Sequence, residues 1–436
     1  MVDVAPFSAL RYRDLARLDA LTAPPYDAID AVLSRRLRAR SQYNVVRLEL
    51  GAYRPLERES SGRYVAAART YVRWRTESVL ALDAEPALYV YEQIYEHGAV
   101  HGRQRGLLAA LQLEPWEAGA VLPHEHVFPG PVEDRLRLLE ALPVNTSPVY
   151  LLAEREPEPV AKLLAMVTQT PPLTAFVDGE EGVHHRLWRV RDRDAHASVR
   201  LGFARQRLLM ADGHHRYTTA LEYRARHPPD REGEGADRIL AFVVSGRGPL
   251  VRASHRLLRS LPEDFEARLR ACGLDRVPVT VRGATPVEAV IAALDEPPPL
   301  RHRDQVGDRF NASRPAFGLL TRQGGAVVVI HDAERVAELF GTVPQALRNV
   351  DVALLQRVLD VSFGVEESSD QIAFTSDPAA AGEKVTAGHA AGLFLVRPVP
   401  LTQIWAVADA GLLLPPKSTS FFPKPRTGLV LRPLSE

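Results

Sequence analysis

The sequence predicts a mixed α/β protein in which mixed sheets are flanked by helices. Apolar runs of strand length alternate with stretches of helical periodicity along most of the chain. The apolar run 208–211 passes through a turn at Gly213 directly into a helix-forming stretch. Hydrophobic residues make up 46% and charged residues 25% of the 436 residues, which is ordinary for a folded protein of two or three domains.

The first third of the chain gives the clearest local signals. Prolines fix the backbone of a turn at 23–27, and Pro131 with the acids behind it suits the first turn of a helix. The pattern predicts, in order, a helix over 28–40, a strand over 44–50, a helix over 64–74, antiparallel strands at 88–91 and 106–111 joined around Gly98, and a helix from 131.

Beyond Ser147 the pattern continues as strand, helix and hairpin up to Asp212. Further strands are predicted at 240–245 and 277–281, a boundary loop at 296–314, a helix at 350–359, a strand at 392–396 and a helix at 402–410. We therefore expect three segments: an N-terminal α/β domain over 1–150, a central domain over 151–300, and a C-terminal α/β segment over 301–436. A loop of the C-terminal segment is expected to fold back on the central one.

Charge and cysteine content exclude several classes of function. Lys plus Arg and Asp plus Glu are equal at 54 each, so no overall field attracts nucleic acid or an anionic membrane. The single cysteine, Cys272, allows neither an internal disulfide nor a cysteine zinc cluster. With no signal peptide and no apolar run near the ~20 residues of a membrane span, we expect a soluble, cytoplasmic protein.

The run Asp212-Gly213-His214-His215-Arg216 is the most informative motif. A helix N-terminus after a glycine turn offers backbone N–H groups and positive potential to an anion. Arg216 adds a fork that suits phosphate, while Asp212 and the histidines could serve a metal ion or a proton transfer. The alternative is a structural turn, because aspartate and glycine are common in turns for conformational reasons.

A second cluster lies at 414–425, where Lys417, Ser418, Thr419 and Lys424 stand among four prolines. A stiff loop that presents several donors suits phosphate or carboxylate recognition, since little entropy is lost on binding. The alternative is a proline-rich surface turn with solvated lysines.

A third cluster is His124-Glu125-His126. Two histidines two apart can share a zinc ion only in an extended segment, and Glu125 suits a general base or a magnesium ligand. The alternative is that Glu125 caps a loop.

Two further carboxylates are candidates for a general base. Asp27 ends the proline turn, where it could activate a hydroxyl or simply cap the helix expected from 28. Glu49 lies in the predicted apolar strand, where it could act in catalysis or pair with Arg47 or another arginine.

Several separated motifs, in this order, resemble one known family. They are Pro24-Pro25-Tyr26-Asp27, 44–49, His124-Glu125, Asp134-Arg135-Leu136, Asn145 with Ser147-Pro148, 211–220, and Pro416-Lys417-Ser418-Thr419 with Pro423-Lys424 and Gly428-Leu429-Val430. The family is the prokaryotic one catalogued as domain of unknown function DUF-1015. The resemblance spans nearly the whole chain but implies no activity.

The Asp212 motif by itself resembles the phosphate-binding strand-turn-helix of the ParB/sulfiredoxin superfamily. Its members include nucleotide-dependent free-serine kinases, sulfiredoxin repair enzymes and CTP-binding partition clamps. The resemblance implies that Gly213, His214, His215 and Arg216 grip nucleotide phosphates. It leaves Asp27 and Glu49 as candidates for the catalytic carboxylate, and the absence of a cysteine from the motif disfavours sulfiredoxin chemistry.

These observations lead to one leading hypothesis and two alternatives. The leading one is a phosphotransferase that moves a phosphoryl group from ATP or ADP to the hydroxyl of a small metabolite, with free serine as the representative acceptor. Asp212 would orient Mg²⁺ or accept a proton, and His214, Glu49, Asp27 or Glu125 would complete catalysis. Ser418, Thr419 and the two lysines Lys417 and Lys424 would bind the nucleotide phosphates, with an acceptor carboxylate as the alternative partner of the lysines. The alternatives are a nucleotide-gated switch of the ParB type and a metal-dependent phosphatase or hydrolase built on the histidines. The oligomeric state stays open, with a homodimer among the alternatives.

Overall fold

The computed structural model describes residues 1–51, 62–229, 231, 233–245, 248–281, 283–295, 315–366 and 369–434. Contacts divide the chain into two units, a first unit of Met1–Pro123, Val127–Leu250 and Phe421–Glu436, and a second unit of His124–His126 and Val251–Ser420. The boundary loop predicted at 296–314 lies outside the described residues. The division into 1–150, 151–300 and 301–436 stays a prediction.

Strands and helices alternate along both units. The strands are β1 (Val4–Ala5), β2 (Leu10–Tyr12), β3 (Leu80–Leu82), β4 (Leu88–His97), β5 (Val100–Gln112), β6 (Val121–Leu122), β7 (Val144–Asn145), β8 (Val149–Ala153), β9 (Thr174–Val177), β10 (His184–Val190), β11 (Leu208–Asp212), β12 (Arg238–Ser245), β13 (Leu250–Ala253), β14 (His255–Leu258), β15 (Leu274–Pro278), β16 (Ala316–Thr321), β17 (Gly324–Ile330), β18 (Ile372–Thr375), β19 (Gly392–Leu395), β20 (Thr419–Phe422) and β21 (Arg432–Pro433).

The α-helices are α1 (Leu18–Leu21), α2 (Ala31–Arg40), α3 (Val46–Glu49), α4 (Gly62–Thr76), α5 (Pro129–Ala141), α6 (Glu158–Val167), α7 (Arg193–Phe203), α8 (His214–Arg226), α9 (Phe265–Ala271), α10 (Pro286–Asp295), α11 (Ala333–Phe340), α12 (Gln345–Arg348), α13 (Asp351–Arg357), α14 (Pro378–Thr386) and α15 (Leu401–Asp409). Short 3₁₀ turns lie at Leu15–Arg17, Tyr26–Ala28, Trp116–Ala118 and Gly235–Asp237, and a π-helix at Val358–Phe363 continues α13. The predicted mixed α/β class is confirmed.

The first unit is built on a nine-stranded sheet with the order β6-β11-β8-β12-β5-β4-β10-β9, and β1 pairs with β5. Strand β6 lies parallel to β11 and β12 parallel to β8, while the other neighbours are antiparallel. Every residue of β8 is buried, which explains its continuous apolar run: a strand covered on both faces has no solvent side.

The two faces of this sheet differ in chemistry. One face packs on apolar residues of α6, α7 and α8, including Leu163, Phe203 and Tyr217. The opposite face carries buried aromatic and polar side chains, because successive residues of a strand point to opposite sides. Its buried members include Tyr89, Tyr91, Gln93, Gln104, Tyr150 and Phe242.

The second unit contains a six-stranded sheet with the order β15-β17-β16-β19-β14-β18, in which all neighbours are antiparallel. Its β16 and β17 carry glycines where α10 approaches. A Cβ atom added at Gly318 would lie 2.5 Å from Cγ1 of Val290 in α10, and one at Gly325 would clash with the same side chain. Small residues at these positions therefore let the helix lie close to the sheet.

The strand predicted over 44–50 is wrong. The chain forms the short helix α3 there, because buried Asn44 accepts from the backbone N–H of Val46 and donates to the carbonyls of Ala20 and Thr22. A side chain that bonds nearby backbone in this way starts a turn rather than a strand. The strand predicted at 277–281 begins earlier, at Leu274. The strands predicted at 88–91 and 106–111 are longer, with β4 ending at His97 and β5 beginning at Val100, and the other predicted elements of the described residues occur with their ends shifted by a few residues.

Among the described residues, no helix combines the length and the apolar content that crossing a bilayer requires. Cys272 caps the end of α9 and is partly buried.

We predict that Gly318→Ala destabilises the second unit by about 1–3 kcal/mol, because the new methyl group overpacks the contact with Val290. Urea unfolding measures the change. The control is Gly130→Ala in α5, where no atom lies within 4 Å of the added Cβ; it should be neutral or stabilising by up to about 1 kcal/mol. An unchanged stability in Gly318→Ala would contradict the close approach of α10.

Candidate active site

Lys424 lies in the last stretch of the first unit, Phe421–Glu436, which is called the terminal segment below. Its side chain lies between two carboxylates of the same unit. Its Nζ donates to Oδ1 of Asp212 and lies 3.2 Å from Oδ2 of Asp27. The exposed fraction of the side chain falls from 29% at Asp27 to 21% at Lys424 and 11% at Asp212. The cluster is therefore open to solvent at its Asp27 end.

A short antiparallel bridge explains why Lys424 meets Asp27. The backbone N–H of Ala23 donates to the carbonyl of Thr427 at 3.1 Å, and that of Thr427 donates to the carbonyl of Ala23 at 2.8 Å. In an antiparallel pair, residues a few places after one partner face those a few places before the other. The bridge thus brings the proline turn before Asp27 next to the segment around Lys424.

Local backbone features aim Asp212 at the site. The pairing of β11 with β8 shifts register between Met210 and Asp212, a bulge that redirects the side chain at the end of the strand. Gly213 follows with φ of +102°, a conformation that side chains other than glycine rarely adopt, and α8 begins at His214. Strand, bulge, glycine and helix N-terminus thus form the strand-turn-helix that the sequence predicts.

Arg216 uses its guanidinium inside the protein. One terminal nitrogen donates to Oδ2 of Asp212 at 2.6 Å. The other donates to Oγ of Ser147 at 2.6 Å and to the carbonyl of Pro148. In this arrangement Arg216 ties Asp212 to the loop before β8, and its predicted grip on phosphate stays a prediction.

The charges around Lys424 keep its ammonium protonated. Burial alone would lower its pKa, but the negative charges of Asp212 and Asp27 outweigh burial and hold the pKa above its ordinary value, against the opposing charge of Arg216. Lys424 is therefore a fixed positive charge at neutral pH, set beside the N-terminus of α8.

The two motif histidines pack on aromatic rings. His214 is 7% exposed, and its ring stacks on Trp116 with the centroids 6.4 Å apart. Nε2 of His215 accepts from the backbone N–H of Phe128 at 3.1 Å, and its ring stacks on that of Phe128 with the centroids 6.2 Å apart. The predicted catalytic and phosphate-binding roles of these side chains stay predictions; their backbone N–H groups lie in the first turn of α8.

Tyr26, the residue before Asp27, packs on an arginine. The guanidinium of Arg135 lies 4.3 Å from the centroid of the Tyr26 ring. Burial raises the pKa of Tyr26 to about 12, with the charge of Arg135 opposing and that of Asp27 adding to the shift. The helix cap expected of Asp27 falls instead to Asp30, whose side chain accepts from the N–H of Leu33 at 2.7 Å.

Glu49 is the buried partner of Arg135. Its side chain is 4% exposed, and Oε2 accepts from Arg135 at 2.9 Å while Oε1 accepts from the hydroxyl of Thr146. Both oxygens thus have donors within the protein. Asp27 is the more exposed of these two general-base candidates, at 29% against 4% for Glu49.

The His124-Glu125 cluster belongs to the second unit. Oε1 of Glu125 accepts from both the backbone N–H and the hydroxyl of Thr419, at 3.0 and 2.9 Å. Nε2 of His124 lies 2.8 Å from the same hydroxyl. Glu125 thus caps the chain at Thr419, which is the structural alternative to its predicted catalytic role. Its catalytic role and the phosphate contact of Thr419 stay predictions.

The remaining predicted residues of the 414–425 cluster, together with His126, differ in their exposure. Ser418 is buried, with 1% of its surface exposed, and its hydroxyl donates to the carbonyl of Pro415 at 2.5 Å. Lys417 is exposed and has φ of +56°. His126 is exposed. The binding roles predicted for Lys417 and Ser418 stay predictions.

The metal-ligand role of Asp212 stays a prediction. Its two oxygens accept hydrogen bonds from the cations Arg216 and Lys424. Within the described ranges, no group of three or more His, Cys, Asp or Glu side chains is placed to share one metal ion.

A buried hydrogen-bond chain supports the same segment two residues beyond Lys424. Arg426 donates to Glu180 at 3.0 Å and lies 3.8 Å from Asp178. Asp178 lies 2.9 Å from Nε2 of His185, whose Nδ1 lies 2.7 Å from the hydroxyl of Tyr91. Burial would raise the pKa of Asp178, but the hydrogen bond from His185 and the charge of Arg426 lower it to about 2.

Sequence reasoning missed the groups that support the site rather than form it. Ser147 and Arg135 stand in motifs noted for their family resemblance, which was the available signal. Gln93 and Gln104 left a weaker signal, as amides near the turn of the hairpin predicted around Gly98. Their role depends on contacts with Pro423 and Lys424, which are too distant in sequence for any single sequence window to reveal.

A family model described as "Protein of unknown function (DUF1015)" matches residues 4–362. No curated protein matches the chain.

Three solved structures are similar to this chain at a low level. A substituted form of free serine kinase in complex with AMP is 12% identical, with a TM-score of 0.36 over 72% of this chain and 87% of that one. Another substituted form in complex with ADP is 12% identical, with a TM-score of 0.37 over the same shares of the two chains, 72% and 87%. A conserved hypothetical protein from Pyrococcus furiosus is 12% identical, with a TM-score of 0.35 over 72% and 90%. Such likeness assigns no activity.

We predict that Asp178→Asn lowers the free energy of unfolding by about 2 kcal/mol at neutral pH. A carboxyl whose pKa is about 2 when folded and 3.8 when unfolded stabilises the fold above pH 3.8, and this is lost as the pH falls toward 2. Urea unfolding from pH 2 to 6 should therefore show wild type and variant converging at low pH.

The control for this experiment is Asp192→Asn, since asparagine keeps the helix cap that Asp192 supplies to α7. If the free energies of unfolding of wild type and Asp178→Asn differed by the same amount over the whole pH range, the partners of Asp178 would not lower its pKa.

Proposed function

The chain belongs to the DUF1015 family, and we propose that it is a nucleotide-dependent phosphotransferase acting on the hydroxyl of a small metabolite. The single observation that carries the proposal is the Lys424 ammonium, fixed between Asp27 and Asp212 beside the N-terminus of α8. Phosphoryl transfer needs a positioned carboxylate, fixed positive charge and donors for phosphate oxygens, which this cluster combines.

Each part of the cluster has a separate task in this proposal. Phosphate oxygens bind at the backbone N–H groups of the first turn of α8 and at Lys424, which meets them as a preorganised charge. Asp27, at the open end, receives the acceptor. Asp212 and Arg216 position Lys424 and the glycine turn rather than contact the substrate.

The transfer step uses these groups as follows. The hydroxyl oxygen of the acceptor attacks the terminal phosphorus, and the bond from that phosphorus to its bridging oxygen breaks. The proton of the hydroxyl passes to a carboxylate oxygen of Asp27. The bridging oxygen leaves with the bonding electron pair on the nucleotide, and Lys424 stabilises the negative charge on the transferred group.

We predict that ATP or ADP raises the melting temperature of the protein and is consumed only when a hydroxyl compound, with serine first in the panel, is added.

Lys424→Met should raise the nucleotide Kd about 10–100-fold by calorimetry, since a charge-assisted hydrogen bond is lost. Lys162→Met, at a side chain that is 76% exposed on α6, is the control. Binding without acceptor-dependent turnover would favour a nucleotide-gated switch.

We also predict that Asp27→Asn lowers kcat about 10²–10⁴-fold while nucleotide affinity changes little, because the amide cannot take up the proton. Steady-state kinetics with the best acceptor of the panel measure the effect. Asp30→Asn is the matched control, since asparagine also caps α2. A kcat in Asp27→Asn equal to that of the control would remove Asp27 from the reaction.

A further inference from the structure

Two buried glutamines lie under the segment that carries Lys424. Gln93 in β4 and Gln104 in β5 are directly paired in the antiparallel sheet and are 0% and 1% exposed. They lie on the face of the sheet that is opposite to α6, α7 and α8. Burying an amide is costly unless each of its groups finds a partner, so their presence in a strand core calls for a reason.

The partners of these amides are backbone carbonyls of the terminal segment. Nε2 of Gln104 donates to the carbonyl of Pro423 at 2.7 Å, and Nε2 of Gln93 donates to the carbonyl of Lys424 at 3.0 Å. Pro423 and Pro425 lack N–H groups and cannot join a strand ladder. The glutamine amides thus give these carbonyls the donors that a neighbouring strand would otherwise supply.

The hydrogen bonds form one chain with a fixed direction. The hydroxyl of Tyr150 donates to Oε1 of Gln104 at 2.5 Å, and Nε2 of Gln104 also donates to Oε1 of Gln93 at 2.6 Å. Gln104 therefore uses both of its N–H groups and its oxygen. A buried network in which each amide nitrogen and oxygen has a partner favours one arrangement over others.

We propose that Gln93 and Gln104 are positioning residues: by fixing the backbone at Lys424, they set its ammonium between the two carboxylates. The sheet then determines where the positive charge of the site lies. The importance of that charge rests on the proposed function, but its placement can be measured without any turnover.

The composition of the chain makes a direct measurement practical. Among 54 basic residues only four are lysines, namely Lys162, Lys384, Lys417 and Lys424. Protein labelled with ¹³C,¹⁵N-lysine gives one set of side-chain resonances for each of them. The groups that face Nζ of Lys424, and therefore set its titration, are Asp27, Asp212 and Arg216.

The test compares the side-chain NMR signals of Lys424 at neutral pH in wild type, Gln104→Met and Gln93→Met, since methionine keeps the length of the side chain without its donors. We expect the Lys424 side-chain resonances to shift and its Nζ protons to exchange faster with solvent, with the other three lysines unchanged. Gln112→Met is the control, because Gln112 lies on the same strand at its far end.

Unchanged Lys424 resonances and Nζ proton exchange in the folded variants would overturn the proposal. Should Gln104→Met fail to fold, Tyr150→Phe decides, since it removes only the hydroxyl that donates to Gln104. Shifted Lys424 resonances and faster Nζ exchange in a protein that binds no nucleotide would uphold the positioning role and defeat the proposed function. In an active enzyme the variants should lower kcat more than Asp30→Asn does.

Discussion

The site depends on one ammonium group that neutralises two carboxylates. Asp27 comes from the N-terminal part of the chain and Asp212 from the end of β11, and without Lys424 their like charges would face each other. Because the three residues are far apart in sequence, the contact requires the first unit to be folded as a whole. A positive charge held in this way is ready for an anion without reorganisation.

Features of the backbone conformation, rather than side-chain preferences, bring these groups together. The bulge before Asp212 turns its carboxylate out of the strand, and the left-handed conformation of Gly213 lets α8 begin at once. The bridge between Ala23 and Thr427 sets the register between the proline turn and the terminal segment. Each of these backbone features orients one chain segment. The segment around Lys424 is held in addition by the polar face of the sheet.

The sequence predicted the local part of this arrangement, whereas most of the long-range contacts that support it leave no local pattern. Residue types and spacing predict the strand-turn-helix at Asp212 and single out Lys424 as a candidate binding residue. The strand predicted over 44–50 was wrong because the buried amide of Asn44 bonds nearby carbonyls, which periodicity does not register. The internal engagement of Arg216 depends on the position of Ser147, which is fixed only by pairing of distant strands.

The most direct test of the central claim is a crystal structure of the chain with a non-hydrolysable nucleotide bound. We expect the terminal phosphate to lie within hydrogen-bonding distance of Nζ of Lys424 and of the backbone N–H groups that open α8, with Asp27 beside the terminal phosphorus. A nucleotide bound elsewhere on the molecule, with Lys424 still enclosed by its two carboxylates, would contradict it.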